Sequence, residues 1–124
     1  MKILTFVCAL LVPLATLGFG WLLAKYSPKT INSVYGYRTR RSSSSQAAWD
    51  FAQQYSAKIM LRWGIVMLIC SVIPCLFGMF AADDTFGLIV SAVVTLQIPA
   101  VTSVIPLTER ALRRMFDENG EPKS

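Results

Sequence analysis

The stretch TFGLIVSAVVTLQIPAVTSVIPLT, residues 85–108, runs for 24 residues without a charge. Two more stretches match it: ILTFVCALLVPLATLGFGWLLA, residues 3–24, and WGIVMLICSVIPCLFGMFAA, residues 63–82. A helix rises about 1.5 Å per residue and the hydrocarbon core of a bilayer is about 30 Å thick, so each stretch is long enough to cross it. Little of a 124-residue chain is then left to build a water-soluble core. The sequence predicts an all-α membrane protein in a single membrane domain, residues 1–124. Spans fall at about 3–24, 63–82 and 85–108, with a loop at 25–62 and a tail at 109–124.

The charges give this arrangement a direction. Lys25, Lys29, Arg38, Arg40, Arg41, Lys58 and Arg62 lie between the first two stretches, and Arg110, Arg113, Arg114 and Lys123 follow the third. The other side has Lys2 and the acidic pair Asp83–Asp84. Basic residues accumulate in cytoplasmic segments, so the N-terminus is expected outside and the loop and C-terminus in the cytoplasm. The net charge of +5 therefore points to the lipid bilayer as a partner, and no direct nucleic-acid partner is expected. The segment Gly18–Phe19–Gly20 offers a small-x-small cleavage pattern, but the apolar run continues through Leu23, longer than a signal peptide requires. A retained first helix is the expectation.

The chain contains no histidine, and its three cysteines, Cys8, Cys70 and Cys75, all sit in spans without metal-ligand spacing. This removes the commonest general base and metal ligand. No catalytic residue, metal or cofactor is expected, and the chain does not read as an enzyme.

Pro13 and Pro74 interrupt the first two spans and free the carbonyls of Ala9 and Cys70 for partners on neighbouring helices. The third span repeats a T-x-x-I-P unit, Thr95–Pro99 and Thr102–Pro106, seven residues apart and so on nearly one face. Each proline frees the carbonyl of the threonine before it. This predicts a bent helix bordering a polar groove with Gln97 and Ser103, or else an ordinary span with incidental prolines.

Between the first two spans, Tyr26–Ser45 reads as an ordered loop ending in four serines, and Gln46–Met60 as a helix capped by a serine near 44 or 45. Ala48, Phe51, Ala52, Tyr55 and Ile59 recur at helical spacing, with Gln46, Asp50, Gln53 and Gln54 opposite. That pattern predicts a cytoplasmic interfacial amphipathic helix leading into the second span. The most distinctive segment is Ile31–Thr39, INSVYGYRT: Gly36 permits a tight turn between two tyrosines, and Arg38 places a planar cation beyond them.

The order of a span, N-x-x-Y-G-Y-R-T (residues 32–39), serines, AWDFAQ (48–53), two further spans and Thr108–Glu109–Arg110 resembles the SdpI family of bacterial membrane proteins. The resemblance runs from about Asn32 to Gly120. It implies a multi-pass protein of the bacterial inner membrane, in a minimal three-span form. It also implies immunity to a sporulation-delay peptide toxin, together with the capacity to hold a soluble repressor at the membrane. A small transport or lipid-binding subunit is the remaining alternative. The matching positions, as candidate binding residues, are Asn32, Tyr35, Gly36, Tyr37, Arg38, Thr39, Trp49 and Gln53. A peptide toxin, a soluble regulator and a second copy of the chain in a homo-oligomer are the expected partners. The serines at 42–45 depart from the family's more varied residues there.

Overall fold

The computed structural model describes residues 2–123. Four helices follow in order: α1 (Lys2–Lys25), α2 (Gln46–Gly78), α3 (Asp83–Thr102) and α4 (Val104–Met115). Three helical stretches, Lys2–Lys25, Gln46–Gly78 and Asp83–Met115, are long and apolar enough to cross a membrane. The chain is an all-helical, multi-pass membrane protein.

Residues 46–60 are helical as expected, and Ser45 is their N-cap, its hydroxyl accepting from the Ala48 amide. They form no separate interfacial element, however, because α2 runs unbroken through 33 residues. No glycine or proline occurs between Gln46 and Trp63 to stop it. Ala48, Trp49, Ala52, Gln53, Ser56 and Ala57 are buried, while Phe51, Tyr55 and Ile59, expected toward lipid or the bundle, are half-exposed. Gln53, assigned to the polar side, is fully enclosed.

α1 packs along α2 and also touches α3. The approach to α2 is close: a Cβ on Gly20 would lie 3.0 Å from Met60 Cβ, and one on Gly64 would lie 2.6 Å from Leu17 Cγ. Without a hydrophobic force between helices in lipid, such small residues let backbones meet and gain dispersion contacts.

Pro13 has no amide hydrogen, so the Ala9 carbonyl loses its helical partner. Gln97 supplies one from α3, its Nε2 donating to Ala9 O at 3.0 Å and to Ser71 Oγ of α2 at 2.8 Å. Ser71 in turn donates to the Met67 carbonyl. One amide thus joins all three spans. Beside it lies an apolar cluster of Ala9, Cys75, Phe86, Val90 and Val93.

The interruption between α3 and α4 is at Ser103. Its cause is Pro106, which leaves the Thr102 carbonyl without its usual donor. The first T-x-x-I-P unit behaves differently: Pro99 is accommodated inside α3. At the opposite end of the bundle, Lys2 donates to the Ala81 carbonyl at 2.7 Å and lies 3.4 Å from the Asp83 carboxylate. It thereby ties the start of α1 to the α2–α3 turn.

Candidate functional site

The loop between α1 and α2 is held by its own polar groups, as irregular backbone near lipid must be. Asn32 Oδ1 accepts from the amides of Val34 and Tyr35, and its Nδ2 donates to the Thr30 carbonyl. Thr39 and Ser42 exchange bonds: Ser42 Oγ accepts from the Thr39 amide, and Thr39 Oγ1 accepts from the Ser42 amide. Arg38 donates to the Ser33 carbonyl, and Tyr35 Oη donates to the Tyr26 carbonyl.

Two enclosed side chains of α2 anchor this loop. Trp49 Nε1 donates to the Pro28 carbonyl at 2.7 Å. Gln53 mimics a strand: Oε1 accepts from the Tyr37 amide at 2.7 Å and Nε2 donates to the Tyr37 carbonyl at 2.8 Å. Gly36 sits beside that pair at φ 102°. Tyr37 then reaches α4, its hydroxyl donating to the Ile105 carbonyl at 3.1 Å. Burial, and next the nearby Glu109 carboxylate, push the Tyr37 hydroxyl well above its ordinary pKa. The neutral form is thus favoured by folding, and that contribution is complete below the ordinary tyrosine value of about 10 and declines as pH rises past it. The strut is intact at neutral pH.

Beneath this loop α1 and α4 do not meet, although α1 touches α3. The space between them is an apolar groove of about 500 Å³. Val12, Ala15 and Phe19 of α1 form one wall, Val101, Val104 and Ile105 the other, and Met60 of α2 contributes to its lining. The segment Gly36–Thr39 closes one end. The opposite wall straddles Ser103, so the helix interruption caused by Pro106 lies within the groove.

The candidate residues divide accordingly. Gly36, Tyr37, Arg38 and Thr39 border the groove, whereas Trp49 and Gln53 are enclosed supports and Asn32 and Tyr35 shape the preceding turn. Several of the long-range roles lacked a local signal. Ser45 Oγ donates to the Gly120 carbonyl at 2.7 Å, so the serine run is joined to the C-terminal segment. Ser42, fully buried, is another such residue. The groove expected beside the T-x-x-I-P repeat is a polar one with Gln97 and Ser103, whereas the groove found is apolar and lined by Val101, Val104 and Ile105 instead.

A family model described as the SdpI/YfhL protein family matches residues 29–107. Among curated proteins, the chain is similar to "Uncharacterized protein YfhL" of Bacillus subtilis (strain 168), 37% identical over 105 residues, 85% of this chain and 86% of that protein. The chain belongs to the SdpI/YfhL family. No solved structure matches it. The SdpI/YfhL match takes in the loop, its α2 anchors and the α3–α4 wall of the groove, while the α1 wall precedes it.

The loop bonds separate its arginines. Arg38 donates to a loop carbonyl, whereas Arg40 and Arg41 make no side-chain hydrogen bond or ion pair within the described residues. Lysine cannot reproduce the guanidinium fork. Arg38→Lys is therefore expected to lower stability by about 1 kcal/mol, measured by thermal unfolding in detergent. Arg40→Lys and Arg41→Lys should stay within about 0.5 kcal/mol of the parent. Equal shifts at all three would reduce Arg38 to one more surface charge.

Proposed function

We propose that this protein protects the membrane it spans against a membrane-active peptide, and that it does so by holding or excluding the peptide rather than cutting it. The observation that carries this reading is the apolar groove between α1 and α4, closed at one end by the Gly36–Thr39 loop. It offers an apolar peptide segment a surface within the bundle. The matching loop of the SdpI/YfhL family supports placing the site there. We further propose a bacterial cytoplasmic membrane location, with the N-terminus and the Asp83–Asp84 turn outside and the Arg40–Arg41 loop and C-terminus in the cytoplasm. The asymmetry of basic residues supports that orientation.

A second reading has its own support. Arg110 and Arg114 are exposed on α4, a surface suited to an acidic soluble regulator. In that case protection would vanish in a strain lacking the regulator.

Expression in cells challenged with the sporulation-delay peptide toxin tests the leading reading. Survival should rise with the amount of protein in the membrane, and the recovered peptide should have its full mass. Cleaved peptide would reject holding or exclusion. For orientation, cysteines introduced singly as Ser43→Cys and Thr85→Cys, with native cysteines replaced, should react oppositely with an impermeant reagent in intact cells. Position 85 should label and position 43 should not.

A further inference from the structure

A second recess lies next to the groove. It has a volume of about 560 Å³ and is bordered by Arg40, Arg41, Glu109, Arg113 and Glu118. The two spaces share a boundary in sequence on both sides. Thr39 borders the groove and Arg40 the recess; on α4, Ile105 borders the groove and Glu109, one turn later, the recess. A turn of four residues advances about 6 Å along a helix. An apolar trough therefore leads into a charged chamber over the distance that separates acyl chain from headgroup at a bilayer surface.

Three arginines and two glutamates border the chamber, and none of them is in a contact ion pair. Lys2–Asp83 is the only ion pair among the described residues, so Arg40, Arg41 and Arg113 face the recess without an acidic partner in contact. Guanidinium groups recognise phosphate through paired, charge-assisted hydrogen bonds. The Glu109 carboxylate lacks a cation as well, and its Oε2 is shut from solvent with no hydrogen-bond partner. A bare phosphate would be repelled by it. A phosphate diester with a hydroxyl or ammonium donor at its far end would satisfy both the arginines and the carboxylate. The trough below is lined largely by apolar side chains, which offer ordered water few polar partners and suit a methylene chain.

We infer that groove and recess form one phospholipid site: phosphate among Arg40, Arg41 and Arg113, a headgroup donor toward Glu109, and one acyl chain between α1 and α4. This goes beyond the peptide reading and is independent of it, since lipid occupancy is measured with no peptide present. A peptide using the groove would have to displace the chain.

The test is native mass spectrometry of the full chain released from micelles carrying phosphatidylglycerol or phosphatidylcholine with identical acyl chains. The choline headgroup has the phosphate but no donor. Phosphatidylglycerol should be retained about tenfold more strongly, the scale of one or two charge-assisted contacts. Arg40→Ala/Arg41→Ala/Arg113→Ala should remove that preference. Ala15→Phe and Val101→Trp, which fill the groove from opposite walls, should each lower retention with the arginines intact, while Lys58→Ala/Arg62→Ala should change nothing. An unaltered far-ultraviolet circular dichroism spectrum and melting temperature serve as the folding control. Equal retention of the two lipids, or retention unaffected by both groove-filling variants, would overturn the inference. So would a lipid-free dimer abolished by Ala15→Phe, which would assign the groove to a second copy.

Discussion

Gly36→Ala is expected to destabilise the loop by about 3 kcal/mol or more and, with it, to abolish the protection proposed above. Two effects add. At φ 102° an L-residue is strained whatever the surrounding space, at about 1–2 kcal/mol. The new Cβ would also lie 2.6 Å from Gln53 Oε1 and 2.8 Å from Pro28 Cγ. Gln53 is fully enclosed, so it can move aside only by releasing the Tyr37 amide and carbonyl it holds. Leaving buried polar groups unpaired costs about 1–3 kcal/mol each. Pro28, the other obstacle, carries the carbonyl that accepts from Trp49. Near-ultraviolet circular dichroism of the detergent-solubilised protein should lose the Trp49 signal, while the far-ultraviolet helix signal changes little. A melting temperature within a degree of the parent would show that the loop is not held as described.

The second large effect lies within the spans. Gln97→Leu removes the donor that completes the Ala9 carbonyl and releases Ser71 from α3. Interhelical hydrogen bonds in membranes are worth about 0.6–2 kcal/mol. An unsatisfied carbonyl in hydrocarbon costs more, several kcal/mol, so a loss of about 2–4 kcal/mol is expected. The sign of the coupling to Pro13 is the sharper test. Pro13→Ala restores an amide that can bond the Ala9 carbonyl within α1, making Gln97 partly redundant. The double variant Pro13→Ala/Gln97→Leu should therefore be more stable than Gln97→Leu alone by at least about 1 kcal/mol, read by detergent-denaturant titration. Strict additivity would mean that Gln97 does not serve the carbonyl that Pro13 frees.

These two sites also mark where the sequence could be read and where it could not. The uncharged runs located three helices because length and apolarity are local properties. The serine cap before Gln46 was legible for the same reason, and so was the carbonyl exposed by Pro13. Its donor was not legible: Gln97 lies 88 residues away in sequence, and nothing local distinguishes it from a groove-lining polar residue. Gln53 was read as solvated because glutamine usually is. Its helical neighbours Trp49, Ser56 and Ala57 nevertheless place it on the inward face, where the backbone of the loop requires a polar partner. The unbroken α2 could have been anticipated from the lack of glycine or proline before Trp63. Phe51, Tyr55 and Ile59, expected toward lipid or the bundle, are half-exposed, while Ala48 and Ala52 of the same apolar set are buried. A loop folded over a helix selects small side chains and hydrogen-bonding ones beneath it, so apolarity alone does not mark the side that the loop covers. The groove depends on α1 and α4 failing to meet, a relation between distant segments that no local pattern encodes.

The most direct test of the proposed role is photocrosslinking of the sporulation-delay peptide toxin to the protein in native membranes. A photoreactive residue placed at Ala15, in the groove, is compared with one at Leu88, exposed on α3. The account predicts full-length peptide attached at position 15 and little at position 88, with attachment at 15 reduced by the groove-filling Val101→Trp. Peptide attached equally at both positions, or recovered as fragments, would contradict it.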